Sequence, residues 1–298
     1  MASLTLSGSA PAVPVEAIRS PGYWRGVLTR LGRDKVAMVA LAIVLAIVAI
    51  AILAPYLAPA DPAKATMIRR LKPIGTPGYP LGADELGRDM LSRLIYGARL
   101  SLVMGVTPVP IAFVIGSILG ITAGYAGGLV NQLIMRTIDV FFAFPSVLLA
   151  VALSGALGAG LGNALVSLTI VFVPPIARIA ESVTTQVRSL DYVEAARTSG
   201  ASAATIIRIH VVPNVIGPVF VYATGLISVS MILAAGLSFL GLGVRPPEAE
   251  WGLMLNTLRT AIYTQPAVAA LPGIMIFITS ISFNTLSDGL RAAMDVKA

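Results

Sequence analysis

Residues 36–53 read VAMVALAIVLAIVAIAIL, an unbroken run of apolar side chains behind Arg30, Arg33 and Lys35. A helix rises about 1.5 Å per residue, so about 20 residues cross a hydrocarbon core about 30 Å thick. With Pro55-Tyr56-Leu57 appended, the run is long enough to span. It does not match a cleavable signal peptide, whose apolar stretch is about 7–15 residues long and close to the terminus. Here the run starts only at Val36 and is closed by Pro55.

Four more charge-free stretches follow, from Leu100 to Met135, Val140 to Ala177, Ile209 to Val244 and Thr260 to Ser287. They predict spans near 101–124, 215–238 and 267–287. Two more fit within 140–177, divided at the Gly-rich segment 154–163. An Arg or Asp at mid-membrane costs about 2.5–3.5 kcal/mol on insertion scales, so the absence of charge supports the assignment. The runs do not alternate as the strands of a barrel would. A helix satisfies its own backbone in a dry core. The fold class read from the chain is therefore an all-α membrane protein with six transmembrane helices.

Composition agrees. Of 298 residues, 56% are hydrophobic and 12% charged, with a mean hydropathy of +0.87. Soluble domains carry about 25% charged residues. These values exclude a soluble enzyme, a disordered chain and a nucleic-acid-binding domain. The net charge of +7 is spread between apolar runs, as membrane-flanking charge is. There is no cysteine and one histidine, His210, which speaks against a thiolate or His-based metal site and a His-based triad. His210 reads as a polar residue at a helix end.

The chain divides into a disordered cytoplasmic tail (1–23), an N-terminal segment with the first span (24–58), an extracytoplasmic loop (59–98), a helical body (99–288) and a cytoplasmic tail (289–298). With both termini inside, twelve basic residues lie inside and nine outside, seven of the nine in the 59–99 region. That bias favours the N-in, C-in orientation. Tyr23 and Trp24 read as interfacial anchors. Arg136 and Asp139, one turn apart, read as a pair or as headgroup contacts. Gly116, Gly120, Gly124 and Gly128 form a smooth helical stripe for close packing, with a role in lining a pathway as the alternative. Pro108, Pro110, Pro174 and Pro175 predict kinks or breaks.

Between the fourth and fifth spans lies the polar segment 179–213, with an apolar face at Val183, Val187, Leu190, Val193 and Ala196. Asp191 is placed to cap a short helix Tyr192–Thr198, and Gly200 to end it. A second helix over 203–211 leads to Pro213, which starts the next span. The picture is a short helix lying across the membrane, held out by two flanking helices.

Glu194-Ala195-Ala196, then Gly200 and Pro213, resemble the signature of the permease subunits of bacterial type I ABC importers. His210 and Asn214 fit the dipeptide/oligopeptide branch better than the generic pattern. Leu81-GADELGRDMLS-Arg93 with Gly97-Ala98-Arg99, the run 237–247 with Trp251-Gly252, and Phe283-Asn284 with Asp288-Gly289-Leu290-Arg291 resemble the C-type subunit of that branch. Thr285, Ser287 and Val296 depart from its usual ending.

The resemblance implies a type I ABC importer transmembrane fold in the bacterial cytoplasmic membrane. It implies that Glu194, Ala195, Ala196, Gly200 and Pro213 dock a cytoplasmic ATPase. Two small alanines let the helix seat deeply, and the carboxylate can pair with a basic group. Gly87, Arg88, Asp89, Arg93 and Arg99 read as a structural loop or as contacts to a binding protein. The implied partners are a homologous B-type permease, two ATP-binding subunits or domains that carry ATP and Mg, and an extracytoplasmic substrate-binding protein. No cofactor is expected in the chain. None of Lys35, Lys64, Lys72 and Lys297 sits in a phosphate-binding G-x-x-x-x-G-K-[ST] loop.

The implied cargo is a di- or oligopeptide, with nickel, glutathione, opines and oligosaccharides as alternatives. A stand-alone secondary transporter would show intramembrane ionisable groups or inverted repeats, and neither is visible. An intramembrane enzyme needs a catalytic Ser/His pair, paired Asp or a metal cluster, and one boundary His with no Cys leaves little material for it.

Overall fold

The computed structural model describes residues 23–294. The expected disorder of the N-terminal tail, the side chains of Tyr23 and Trp24, and residues 295–298 lie outside the described residues. Thirteen α-helices follow one another among the described residues, and no strand goes beyond two isolated bridges.

At the N-terminal side, α1 (Tyr23–Leu31) turns at Arg33 into α2 (Lys35–Ile52). Asp34 caps α2 by accepting from the amides of Val36 and Ala37. A short α3 (Ala54–Leu57) ends the run. Next come α4 (Met90–Val106) and α5 (Pro108–Ala126), which continue each other as one rod, Met90–Ala126. α6 (Gly128–Phe142) and α7 (Ser146–Leu157) meet at 89°. α8 (Leu161–Arg188) is a single helix. The short α9 (Asp191–Thr198) precedes α10 (Ala203–Ile206). α10 passes through a π turn, Ile207–Val211, into α11 (Val212–Phe239). α12 (Trp251–Thr257) and α13 (Pro266–Met294) complete the chain.

Five of these helices or continuous helix runs are long and apolar enough to cross a membrane. With the bent α6–α7 pair taken as one crossing the bundle has six. Pro145 explains the bend. It biases Phe144 away from helical dihedrals and cannot donate an amide, so α6 stops at Phe142 and α7 restarts at Ser146. The expected division within 154–163 falls at Gly158–Gly160, between α7 and α8.

Three sequence expectations change. Helix α4 begins at Met90, inside the segment read as loop. Pro174 and Pro175 do not break α8, which runs through both, whereas Pro108 and Pro110 mark the one-residue division at Thr107 between α4 and α5, in the first turn of α5. The helix at 203–211 does not stop before Pro213, because the wide π turn carries it into α11.

The main core joins α4, α5, α7, α8, α9 and α11 around Met104, Leu168, Phe172, Ile176, Val215 and Leu237. Close approach of α5 and α8 depends on three glycines of the stripe. A Cβ on Gly116 would lie 2.8 Å from Ile176 Cγ2, one on Gly120 2.3 Å from the Ala177 carbonyl, and one on Gly124 2.7 Å from the Glu181 carbonyl. Gly128, the fourth, has open space around it and starts α6.

Candidate functional site

Two polar assemblies stand out, at opposite ends of the bundle. The first is α9 with its flanks. Val193 is fully buried in the main core, beside Ile206, Val211 and Val187. Burying one such side chain contributes about 1.5–3 kcal/mol, which fixes the helix to the bundle by a single apolar face. Glu194, Ala195, Arg197 and Thr198 are exposed, while Ala196 is half-buried against the core. The two alanines therefore divide: Ala195 faces outward and Ala196 packs inward.

Both ends of α9 are built locally. Asp191 is the first residue of the helix, and Leu190 occupies the cap position without a side-chain bond. The expected Asp191 cap is thus replaced by a carboxylate in the first turn, where the helix dipole favours it. At the other end Gly200 has φ +83°. Its amide donates to Arg197 O at 3.0 Å, and the amide of Ala201 donates to Ala196 O at 3.1 Å. This is a Schellman closure, which places glycine in the left-handed region. A Cβ on Gly200 would meet nothing, so the conformation rather than close approach selects the residue. Ser202 then caps α10 by accepting from the Thr205 amide at 3.2 Å.

A strut joins α9 to the following helix. The Tyr192 and His210 rings lie 5.8 Å apart. Asn214 Nδ2 donates to His210 O at 2.7 Å and to the Tyr192 hydroxyl at 3.3 Å. His210 thus serves as a packing partner. Pro213 sits in the first turn of α11, after the π turn. α9 is carried between α8 and α11, two of the longest apolar helices in the chain.

The second assembly surrounds the start of α4. Asp89 caps it, its Oδ2 accepting from the Ser92 amide at 2.7 Å and the Ser92 hydroxyl at 2.6 Å. Arg88 Nε meets Asp84 Oδ2 at 2.6 Å and its Nη2 meets Glu85 Oε1 at 2.7 Å. Arg93, only 1% exposed, pairs with Asp84 at 3.2 Å. It also donates to the carbonyls of Pro62, Pro247 and Glu248 at 3.1, 3.4 and 3.2 Å. It thereby ties the 59–89 segment to the connection after α11. Gly87 (φ +74°) lets the chain pass over Thr66, whose carbonyl would lie 2.0 Å from a Cβ. Arg88, Asp89 and Arg93 are buried, whereas Arg99 is exposed.

Two features escaped the sequence reading. Asp139 pairs with Arg178 of α8, not with Arg136, which is exposed. The Arg178 guanidinium also lies 5.0 Å over the Phe142 ring, so it braces the α6–α7 bend. Glu250 is 1% exposed and caps α12, accepting from the amides of Gly252 and Leu253 at 2.8 Å each and from the Ser101 hydroxyl at 3.0 Å. Burial pushes its carboxyl above the ordinary carboxylate range, against the pull of those donors. A Glu directly before Trp251-Gly252-Leu253 was the available N-cap signal. Among the described residues no cluster of His, Asp or Glu could hold a metal ion.

Comparison with known proteins adds a third line. Residues 116–297 match the family model described as binding-protein-dependent transport system inner membrane component. Residues 22–73 match the N-terminal TM domain of oligopeptide transport permease C. The chain is 41% identical over 287 residues to the glutathione transport system permease protein GsiD of Pectobacterium atrosepticum, covering 96% of this chain and 95% of that one. It is 40% identical over 287 residues to the protein of the same name from Shigella sonnei, covering 96% and 94%. Among solved structures it is similar to a chain of the inward-facing MetNI methionine ABC transporter, with TM-scores of 0.53 and 0.55 in two crystal forms. Identity there is 20%, and the match covers 68% of this chain and 97% of that one. At that identity the likeness establishes the fold, that of type I ABC importer permeases.

Proposed function

The chain belongs to the family of inner membrane components of binding-protein-dependent transport systems, and from that premise we propose how it works: α9 is the handle through which a separate ATPase drives the helices that carry solute. The chain is a multi-pass permease subunit of an ABC importer. Membership implies ATP-binding subunits and a substrate-binding protein as partners.

The observation that carries the proposal is the construction of α9. It is an eight-residue helix with one buried anchor, Val193, a Schellman end at Gly200, and a small, acidic exposed face at Glu194 and Ala195. Ala195 leaves room for a cleft to close over the helix, and the Glu194 carboxylate faces outward to meet a cation. Force on α9 reaches α8 directly and α11 through α10 and the π turn. Gly116, Gly120 and Gly124 oblige α5 to move with α8. Pro174 and Pro175 remove two amide donors from the ladder of α8, which gives that lever a compliant point. ATP and Mg are held by the partner chains; closure of those chains draws the handles together and switches the spans between inward- and outward-open states.

In this account the chain sits in the bacterial cytoplasmic membrane with both termini and α9 in the cytoplasm, and pairs with a homologous B-type permease. Its cargo is a short peptide. The names of the GsiD relatives and the oligopeptide permease C match support that class, glutathione included. Mild-detergent purification of the tagged chain from its own cell tests the account: an ATP-hydrolysing chain should co-elute. Transport by the chain alone in lipid vesicles would contradict it.

A further inference from the structure

Beside the Arg93 clasp, between α4 and the connection that follows α11, lies a cleft of about 400 Å³. Pro62, Tyr96, Arg99, Leu100, Pro247 and Glu248 contribute to its wall. Its volume falls in the range of about 300–1,000 Å³ usual for small-molecule sites. Tyr96 and Arg99 stand three residues apart on α4, hence on one face of a rigid helix. Glu248 stands opposite, on the connection. Arg99 and Glu248 are both exposed. Among the described residues neither side chain has an ion-pair partner, and no ion pair joins them across the cleft.

The walls are fixed in advance. The buried Arg93 guanidinium donates to Pro62 O, Pro247 O and Glu248 O, so one cation holds both lips. The Glu248 amide donates to Arg245 O at 3.3 Å, which further restrains the backbone beneath its carboxylate. The backbone from which Glu248 projects is therefore set without a ligand, as is the helix that carries Arg99, and a ligand that fits has only the two side chains to order.

We propose that this cleft is a peptide-receiving subsite, in which Arg99 takes the terminal carboxylate and Glu248 the terminal ammonium of a short peptide with free ends. The cleft's two exposed charges are opposite in sign, as are the ends of such a peptide. An extended dipeptide separates its ends by about 7 Å and a tripeptide by about 10 Å, at about 3.3–3.6 Å per residue. A docking protein would answer the same two charges with an acidic and a basic side chain of its own, and the KM for loaded binding protein separates the two cases. Leu100, Pro62 and Pro247 supply apolar wall for side chains without reading their identity. Selection by ends alone suits a subsite that accepts cargo already chosen elsewhere. The inference rests on the peptide reading of the cargo given above, and narrows it to peptides whose two ends are free.

The test uses the whole complex in proteoliposomes with its binding protein, fed radiolabelled glutathione and radiolabelled Ala-Phe in parallel. Wild type, Arg99→Gln, Glu248→Gln and Arg99→Lys are compared for uptake, ATP turnover and the KM for loaded binding protein. Both Gln variants should lower uptake per ATP hydrolysed at least tenfold with the KM for loaded binding protein unchanged, and Arg99→Lys should keep most of the uptake. A raised KM with uptake per ATP unchanged would make the face a protein dock and overturn the proposal. Unchanged kinetics in both Gln variants would overturn it as well. Wild-type uptake of neither peptide would refute the peptide reading itself, and this inference with it.

Discussion

The amide of Ala201 reaches back to the carbonyl of Ala196 at 3.1 Å, and this bond closes α9 around a left-handed Gly200. An L residue in that region costs about 1–2 kcal/mol. Gly200→Val should therefore leave the chain inserted but shift the end of α9. Uptake should fall at least tenfold, with Gly200→Asn intermediate because Asn tolerates the left-handed region. Reconstituted uptake alongside chain abundance in membranes checks this. Equal uptake by the Val variant would show that the closure is dispensable.

Glu194 is exposed and makes no side-chain bond among the described residues, so its replacement should move stability by no more than about 0.5 kcal/mol. Glu194→Lys reverses the charge offered to the ATPase. Substrate-stimulated ATP turnover of the assembled complex should drop severalfold while thermal stability of the chain stays level. Full turnover in that variant would count against docking at this face.

Arg93 is a buried cation answering one carboxylate and three carbonyls. Removing one partner of such a network costs about 3–5 kcal/mol. Arg93→Met should lower the thermal midpoint in detergent by several degrees, and Arg93→Lys by less, since it keeps the charge but loses the fork. Arg99→Met, about 1.7 turns on and exposed, should leave the midpoint nearly unchanged.

Glu250 gives a pH signature. Its folded carboxyl titrates above the ordinary value of 4.5 because burial penalises the charge. Between 4.5 and the raised value the folded chain holds more protons than the unfolded one. Its contribution is thus most favourable at low pH and declines as pH rises through that window. Glu250→Gln removes the titration and keeps an acceptor for the α12 amides. The difference in thermal midpoint, Gln variant minus wild type, should grow as pH rises above about 4.5. A difference independent of pH would contradict the assignment.

Gly120→Val should be poorly tolerated. Its Cβ would sit 2.3 Å from the Ala177 carbonyl oxygen and 2.6 Å from Ala180 Cβ, and backbone cannot yield as a side-chain tip can. Overpacking of this kind costs about 1–3 kcal/mol. Gly128→Val, at a position with open space, tests the contrast. Its φ of +50° makes the expected cost local to the start of α6, without loss of the α5–α8 contact. Membrane abundance and thermal midpoints of the two variants separate these outcomes.

The spans were legible in the sequence because hydrocarbon tolerates no unpaired charge, which makes charge-free length a direct readout of a crossing. The start of α4 was hidden for the same reason. Arg93 and Arg99 look like loop residues until Asp84 and three distant carbonyls are brought up to Arg93. Asp139 shows the limit of local spacing: Arg136 is its neighbour along the helix, but Arg178 is its neighbour in the fold. The bend at Pro145 was readable in principle, since proline and the residue before it both resist helix; the glycines downstream drew the division to 154–163, where a second one exists. At α9 the Glu-Ala-Ala and Gly200 spacing located the helix and its end. That Ala195 faces out and Ala196 in depended on where Val193 packs.

The chain has no cysteine, so a single Ala195→Cys places one thiol on the exposed face of α9. Its alkylation by a membrane-impermeant maleimide, in intact cells and in inside-out vesicles with and without the ATPase chains, tests the central claim most directly. The expected result is no labelling in intact cells, rapid labelling in stripped inside-out vesicles, and protection when the ATPase chains are restored. Labelling from the exterior of intact cells, or vesicles that label equally with the ATPase bound, would contradict it.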